Sequence, residues 1–439
     1  MPNLPKGSKK LVNAWAFYDW ANSVYTLVIA SAIFPIYYQS LFKTAHVDMV
    51  LVFGGEIRST PLISYTTAAA FLLVAFISPL LSGIADYVGN KKFFLKFFCY
   101  LGGISSMALY YFSLEYIHIS LLFYFLALVG FWGSLVFYNS YLPDVAYPEQ
   151  QDAVSARGFA WGYVGSVLLL IFNLIMVLNP EFFGLGEGNE ASMKAMQISF
   201  VSVGVWWIVF SQYTFYYLPK GNIKGRKVTS KILFNGFKEL RKVQVSLVQN
   251  LVLKRFLTAF FVYSMAVQTI LLVATYFGEQ EIDWGGDDQK TLGLISSILI
   301  IQLVAMVGAL LASRASSKFG NIPVLVIING IWIMICIFAF FIHTPMHFYI
   351  TAGVVGLVMG GIQSLSRSTY SKLLPETKDT TSYFSFFDVA EKIGIVIGML
   401  IYGLIDQLTG SMRNSILFLV LFFVVGLILL LRVPQNKIK

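Results

Sequence analysis

Apolar runs of about twenty residues, each closed by a short polar turn, repeat along the whole chain. Twelve lie near 11–38, 61–83, 93–113, 120–142, 158–178, 197–218, 255–277, 291–312, 322–342, 346–366, 384–405 and 414–432. A helix of about 20 apolar residues covers the hydrocarbon core of a bilayer. Backbone groups in lipid must be satisfied within their own segment, so each run predicts a membrane helix. The least regular are 346–366 and 384–405, which carry Arg or acidic residues at one end. In the first run, Ala30-Ser31-Ala32 has the outline of a cleavage site. The run continues to Tyr38, however, and Asp19 interrupts it, so a retained helix is expected rather than a signal peptide.

Composition agrees with this pattern. Of 439 residues, 57% are hydrophobic and 12% charged, and the mean hydropathy of +0.73 excludes an ordinary soluble domain. With the N terminus placed in the cytoplasm, cytoplasmic segments hold 25 of the 31 Lys and Arg residues. The outer loops hold only Lys43, Arg58, Lys194, Lys290 and Arg413, and Lys392 is placed inside a helix. This bias predicts both termini in the cytoplasm of a multi-pass protein, with the plasma (inner) membrane the expected location. The net charge of +9 is then a topology signal and no indication of nucleic-acid binding. Cys99 and Cys336 both fall in predicted helices and indicate neither a disulfide framework nor a metal site.

The long segment 219–254 divides six runs from six: 1–218, a basic linker, and 255–439. Within the linker Ile232, Leu233, Phe237, Leu240, Val243, Leu247 and Leu251 recur at roughly helical spacing, with Lys231, Lys238, Arg241 and Lys242 between them. That pattern predicts an amphipathic helix on the cytoplasmic leaflet. The halves also look like copies. Gly89-Asn90 follows the second run and Gly320-Asn321 the eighth; Pro143 ends the fourth run and Pro375 follows the tenth.

The turn Ser82-Gly-Ile-Ala-Asp-Tyr-Val-Gly-Asn-Lys-Lys92 resembles the loop between the second and third helices of major facilitator superfamily transporters. Ser82, Asp86, Gly89 and Lys91 fill that motif's places, whereas Tyr87 and Asn90 stand where Arg is usual. In the second copy Ser317 replaces the Asp. The stretches Phe17–Ser23, Asn139–Pro143, Ser155–Gly165 and Gln363–Ser368, in order and spacing, resemble the UMF1 group of that superfamily, relatives of the fungal vacuole effluxer Atg22. The resemblance implies an all-α membrane fold of two six-helix bundles. It also implies a transported solute, with amino acids the first expectation, and makes Asp86 part of an inner gate held against the opposite half. Because the first, fourth, seventh and tenth helices line the cavity in this fold, the resemblance nominates Tyr25, Trp132, Asn139, Tyr263, Gln268 and Gln363 as lining residues.

Ionisable residues inside the runs are the candidates for chemistry, because charge in a membrane is costly and faces a cavity or a partner. Asp19 shares a helix face with Asn22 and Ser23. It reads either as a proton-coupling or substrate-ammonium site, or as a carboxylate bonded to the turn between the fourth and fifth helices. Asp388 and Lys392, four apart with the acid first, form a favourable helical pair, which leaves Glu391 on an adjacent face. The pair is a plain structural contact, or Lys392 or Glu391 handles a carboxylate or a proton. Arg367 is either a helix-end Arg at the cytoplasmic face or a fork for an anionic group. Gly158, Gly162 and Gly165 provide a close helix contact, expected where the two halves meet.

No phosphate-binding loop is present, so ATP does not drive the protein directly, and no nucleophile or metal constellation points to an enzyme or a cofactor. The expected function is secondary transport of a small polar solute by alternating access, coupled to protons. The alternative is a transporter-fold lipid scramblase or a sensor that does not transport.

Overall fold

A computed structural model describes residues 4–52, 54–221 and 232–434. The chain forms long helices: α1 Lys9–Ala45, α2 Ser59–Val88 and α3 Lys91–Tyr111; α4 Ile117–Asn139, α5 Pro148–Leu178 and α6 Asn189–Tyr217. After the linker come α7 Leu251–Glu281, α8 Asp287–Phe319, α9 Asn321–Ala339, α10 Pro345–Leu373, α11 Thr380–Thr409 and α12 Met412–Leu431. Every predicted run falls on one of them. Among the described residues, eleven are long and apolar enough to cross a membrane by length and composition. The other, α11, is a 30-residue helix that carries Asp388, Glu391 and Lys392 in its interior.

Two features escape the apolar pattern. Tyr25–Ile33 in the middle of α1 is π-helical, a widened turn that hydrophobic periodicity does not distinguish from α-helix. The outer loop after α1 forms an antiparallel hairpin, β1 Met49–Val52 and β2 Gly55–Arg58, with Met49 opposite Arg58.

One apolar core gathers buried residues from Leu11 to Leu218, and a second gathers Val243 to Val433 together with Tyr163 of α5. The two sets of six helices meet where α2 packs on α11, and α5 on α8 and α10. Gly158 lies at that junction, where a Cβ would come 3.1 Å from Arg367 Nη2 of α10, whereas the nearest atoms to a Cβ on Gly162 or Gly165 belong to α1. A Cβ on Gly158, Gly162 or Gly165 would come within 2.9 Å or less of Asp19, Ser23 or Trp20 respectively, all on α1, so the small residues seat α5 on α1 within the first half.

The linker helix, Ile232–Gln249, runs along α2. Its Val243 and Leu247 are buried, whereas Phe234, Phe237, Val245 and Val248 are exposed. The Tyr383 hydroxyl at the start of α11 donates to Ser246 Oγ at 2.8 Å. The expected leaflet helix therefore has one apolar face on protein, because the ends of α2 and α11 offer it a surface. Lys231 and the side chains of Ile232 and Leu233 lie outside the described residues.

Candidate functional site

Among the described residues, three groups that include buried charges join the two halves. All are built from residues that the apolar helices cannot leave unpaired, since an ionised group buried alone is expensive.

The first centres on Asp19 and Arg367. Asp19 sits on α1 roughly 15 Å from Lys9, at 1.5 Å per residue, and Arg367 on α10; both are nearly inaccessible. Arg367 Nη1 and Nη2 each donate to Asp19 Oδ2 at 3.1 Å. The Tyr138 hydroxyl of α4 donates to the same oxygen at 2.9 Å. The guanidinium also donates through Nε to Ser155 Oγ at 2.9 Å, through Nη2 to the Ser155 carbonyl at 2.9 Å and through Nη1 to Asn139 Oδ1 at 3.3 Å. Its plane lies against aromatic rings, with Phe159 at 4.1 Å and Trp15 at 4.8 Å. A fixed fork of donors satisfied on every side is what Arg provides and Lys does not. Gly158 makes room: a Cβ there would sit 2.4 Å from Asp19 Oδ2. The Ser155 hydroxyl in turn donates to the Ser364 carbonyl at 2.8 Å, again across the halves.

Arg367 is thus neither a surface residue nor a helix cap. Helix α10 continues past the apolar run to Leu373, which places Arg367 inside the bundle. Asp19 is bonded to α10 and α4 rather than to the turn after α4. Asn22 is buried beside it, with Nδ2 unpartnered among the described residues.

The second group lies where α11 meets α4 of the first half and α7 of its own. Lys392 Nζ bonds Asp388 Oδ1 at 2.8 Å and Glu391 Oε2 at 2.9 Å, and lies 3.9 Å from the centre of the Trp132 ring. Gln268 Nε2 donates to Glu391 Oε1 at 2.8 Å. Glu391 is therefore not left over on a separate face: the long flexible lysine reaches both carboxylates.

The third group closes the end of the bundle where the basic loops gather. The backbone N–H groups of Thr381 and Ser382 donate to the Asp86 carboxylate at 3.3 and 2.7 Å. This carboxylate sits on the positive N-terminal end of α11. Gly89, at φ 76°, ends α2 in the left-handed region that suits glycine. Lys91 bonds Asp144 at 2.6 Å and donates to the Ser140 carbonyl at 2.8 Å and Thr380 Oγ1 at 3.0 Å. Alongside, Asp152 of α5 takes Lys372 at 2.6 Å, Asn321 at 2.8 Å and Ser316 at 3.1 Å, all from the other half. Neither Asp152 nor Lys372 stood out in the sequence, since both fall at polar helix ends where charge is ordinary.

Three nominated residues lie apart from these groups. The Tyr163 hydroxyl donates to Gln363 Oε1 at 2.8 Å across the halves. Tyr263 shares a 2.7 Å bond with Ser366 within the second half. Tyr25 is fully buried in the aromatic core of the first half, stacked at 5.2 Å on Phe131 and at 5.9 Å from Trp207. It lies six residues from Asp19, about 120° around a helix, and so points away from the junction.

A family model described as "Vacuole effluxer Atg22 like" matches residues 7–439. The uncharacterized MFS-type transporter YxiO of Bacillus subtilis is 32% identical, over 97% of this chain and 95% of its own. Autophagy-related protein 22 of Kluyveromyces lactis is 23% identical, over 97% and 93%. Among solved structures, the Escherichia coli fucose:proton symporter FucP superposes with a TM-score of 0.68 at 15% identity, covering 97% of this chain and 98% of that one; at this identity the likeness is one of fold. The chain is a multi-pass membrane transporter and belongs to the Atg22-like family of the major facilitator superfamily.

Proposed function

We propose that the protein is a secondary active transporter that moves a small polar solute, an amino acid in the first instance, by proton-coupled alternating access. The observation that carries this reading is the buried Asp19–Arg367 pair. It ties α1 to α10, and it sits behind the contacts that close the basic end. A bridge between the halves that depends on a carboxylate charge is one that a proton can release. Neutral Asp19 keeps its place beside Tyr138 but loses its attraction for Arg367. A buried guanidinium without its partner is strongly unfavourable, so protonation favours a rearrangement that gives Arg367 new partners. The carboxylate of an amino acid is one such partner. The family description, which names vacuole effluxers, supports a solute carrier. In this reading the units are 1–218 and 255–439 joined by 219–254, the basic end faces the cytoplasm, and the bilayer is the plasma (inner) membrane.

The test uses purified protein in liposomes that hold a pH-sensitive dye. Pools of amino acids, sugars, nucleosides and organic acids are added in turn. Proton movement with the amino-acid pool, absent in protein-free liposomes, is expected. Proton movement with another pool alone would replace the substrate class, and solute flux with no proton movement would refute coupling.

A further inference from the structure

The cluster on α11 is short of one positive charge. It holds two carboxylates, Asp388 and Glu391, and a single ammonium, Lys392. The shortage has a location: Asp388 Oδ2 is buried and has no hydrogen-bond partner among the described residues, whereas Oδ1 is bonded to Lys392. An unpaired buried carboxylate oxygen calls for a donor. Around Lys392 the surfaces are those that recognise an ammonium group. Both carboxylates converge on Lys392 Nζ, and the face of Trp132 lies 3.9 Å away on the other half, close enough for cation–π attraction. Gln268 holds the second oxygen of Glu391 and so fixes the direction of the first. Lys392 is wholly buried, but Glu391, Trp132 and Gln268 are partly exposed, so the cluster has an open side.

We infer that Asp388, Glu391 and Trp132 form a binding site for a primary ammonium group, and that Lys392 is its resident stand-in. An ammonium has three donors. One brought by a solute can take the free Asp388 oxygen, share the Trp132 face and displace Lys392 from one carboxylate. Because Trp132 belongs to one half and the carboxylates to the other, the group is bound only while α4 and α11 are together. The site deepens the proposed transport reading by assigning the amine end of the substrate. It rests on that reading for its role in transport, but not for binding itself.

The experiment is therefore an equilibrium one in detergent, with no gradient. Wild-type protein and the Lys392→Met variant are heated with n-butylammonium chloride, n-butanol or sodium chloride at equal concentrations, and unfolding is followed. In Lys392→Met, n-butylammonium restores the missing cation and raises the midpoint by about 2–4 °C near saturation. The two control compounds leave it unchanged, and adding Asp388→Asn to the variant abolishes the rise. Should Lys392→Met fail to fold, the wild type decides. There n-butylammonium raises the midpoint more than n-butanol does, and the Asp388→Asn or Trp132→Leu variant weakens the apparent affinity at least tenfold. An equal response to sodium would make this an inorganic-cation site, an equal response to butanol an apolar cavity; either result, or no response at all, overturns the assignment. Ammonium binding without proton movement in liposomes would refute coupling and leave the site standing. Coupled flux without ammonium binding would do the reverse.

Discussion

Asp152 and Lys372 meet at 2.6 Å across the two halves, in the place where the internal repeat puts the counterpart of the Asp86 contact. On one side of the junction the carboxylate belongs to the end of α2 and the donors to the start of α11. On the other, the carboxylate belongs to the start of α5 and the donors to α8, α9 and α10. The offset between Gly89 and Gly320 is 231 residues, and at that offset Ser317 matches Asp86. The acidic residue missing from the second copy of the turn is thus supplied from the opposite element. In both contacts the carboxylate belongs to the first half and the donors to the second.

That arrangement predicts strong coupling between Asp152 and Lys372. Removing either partner from a largely buried pair costs on the order of 3 kcal/mol. The Asp152→Asn and Lys372→Met variants each unfold at lower temperature than the wild type, and the double variant recovers part of the loss. A double variant whose loss equals the sum of the singles would show that the two residues do not act as a pair.

Asp86 holds the start of α11 through two backbone donors. Asp86→Asn removes the charge that the helix end favours, worth up to about 2 kcal/mol in a partly buried setting. The native cysteines, Cys99 and Cys336, are both buried, so a Thr381→Cys probe reports on the junction against a quiet background. Its modification by a thiol reagent is expected to speed up several-fold when Asp86→Asn is added; an unchanged rate would remove Asp86 from the closure.

Gly158 is required by the site and not only by helix packing. Its missing Cβ leaves the space that Asp19 Oδ2 occupies, with Arg367 Nη2 3.1 Å and the Tyr138 hydroxyl 3.2 Å from where that Cβ would lie. Gly158→Ala should cost about 1–3 kcal/mol by overpacking and should also reduce transport by displacing Asp19. Equal transport in proteoliposomes at equal protein content would show that the carboxylate tolerates the shift.

The linker helix depends on an equally close approach. A Cβ on Gly83 of α2 would come within 2.3 Å of the Gly236 carbonyl oxygen, so Gly83→Val is expected to lift the helix from α2. Limited proteolysis within 232–249 should quicken in the variant while the membrane bundle stays intact. Unaltered proteolysis would mean that the helix is held elsewhere, through contacts such as Tyr383–Ser246.

The helices were legible because lipid imposes length and apolarity on each one separately. Asp19, Asp388, Glu391 and Lys392 stood out for the same reason, as costly exceptions inside apolar runs. Arg367 was legible as a charge but not in its setting: apolarity stops near residue 366, while the hydrogen-bonded helix runs on to Leu373. Tyr138 gave no signal and Ser155 stood only as the first residue of a family stretch, since a tyrosine or serine in a membrane helix is ordinary. Their partners, Asp19 and Arg367, lie 119 and 212 residues away. The π-helical stretch of α1 escaped because its composition is that of any apolar helix.

The most direct test of the central claim separates coupling from movement in the Asp19→Asn variant, whose amide stands for the protonated carboxylate. Uptake driven by a pH gradient and solute exchange at equal pH are measured side by side in the same proteoliposomes, once the variant is shown to be folded. Gradient-driven uptake is expected to be lost while exchange continues. Gradient-driven uptake at the wild-type rate would contradict the claim and remove Asp19 from the coupling step.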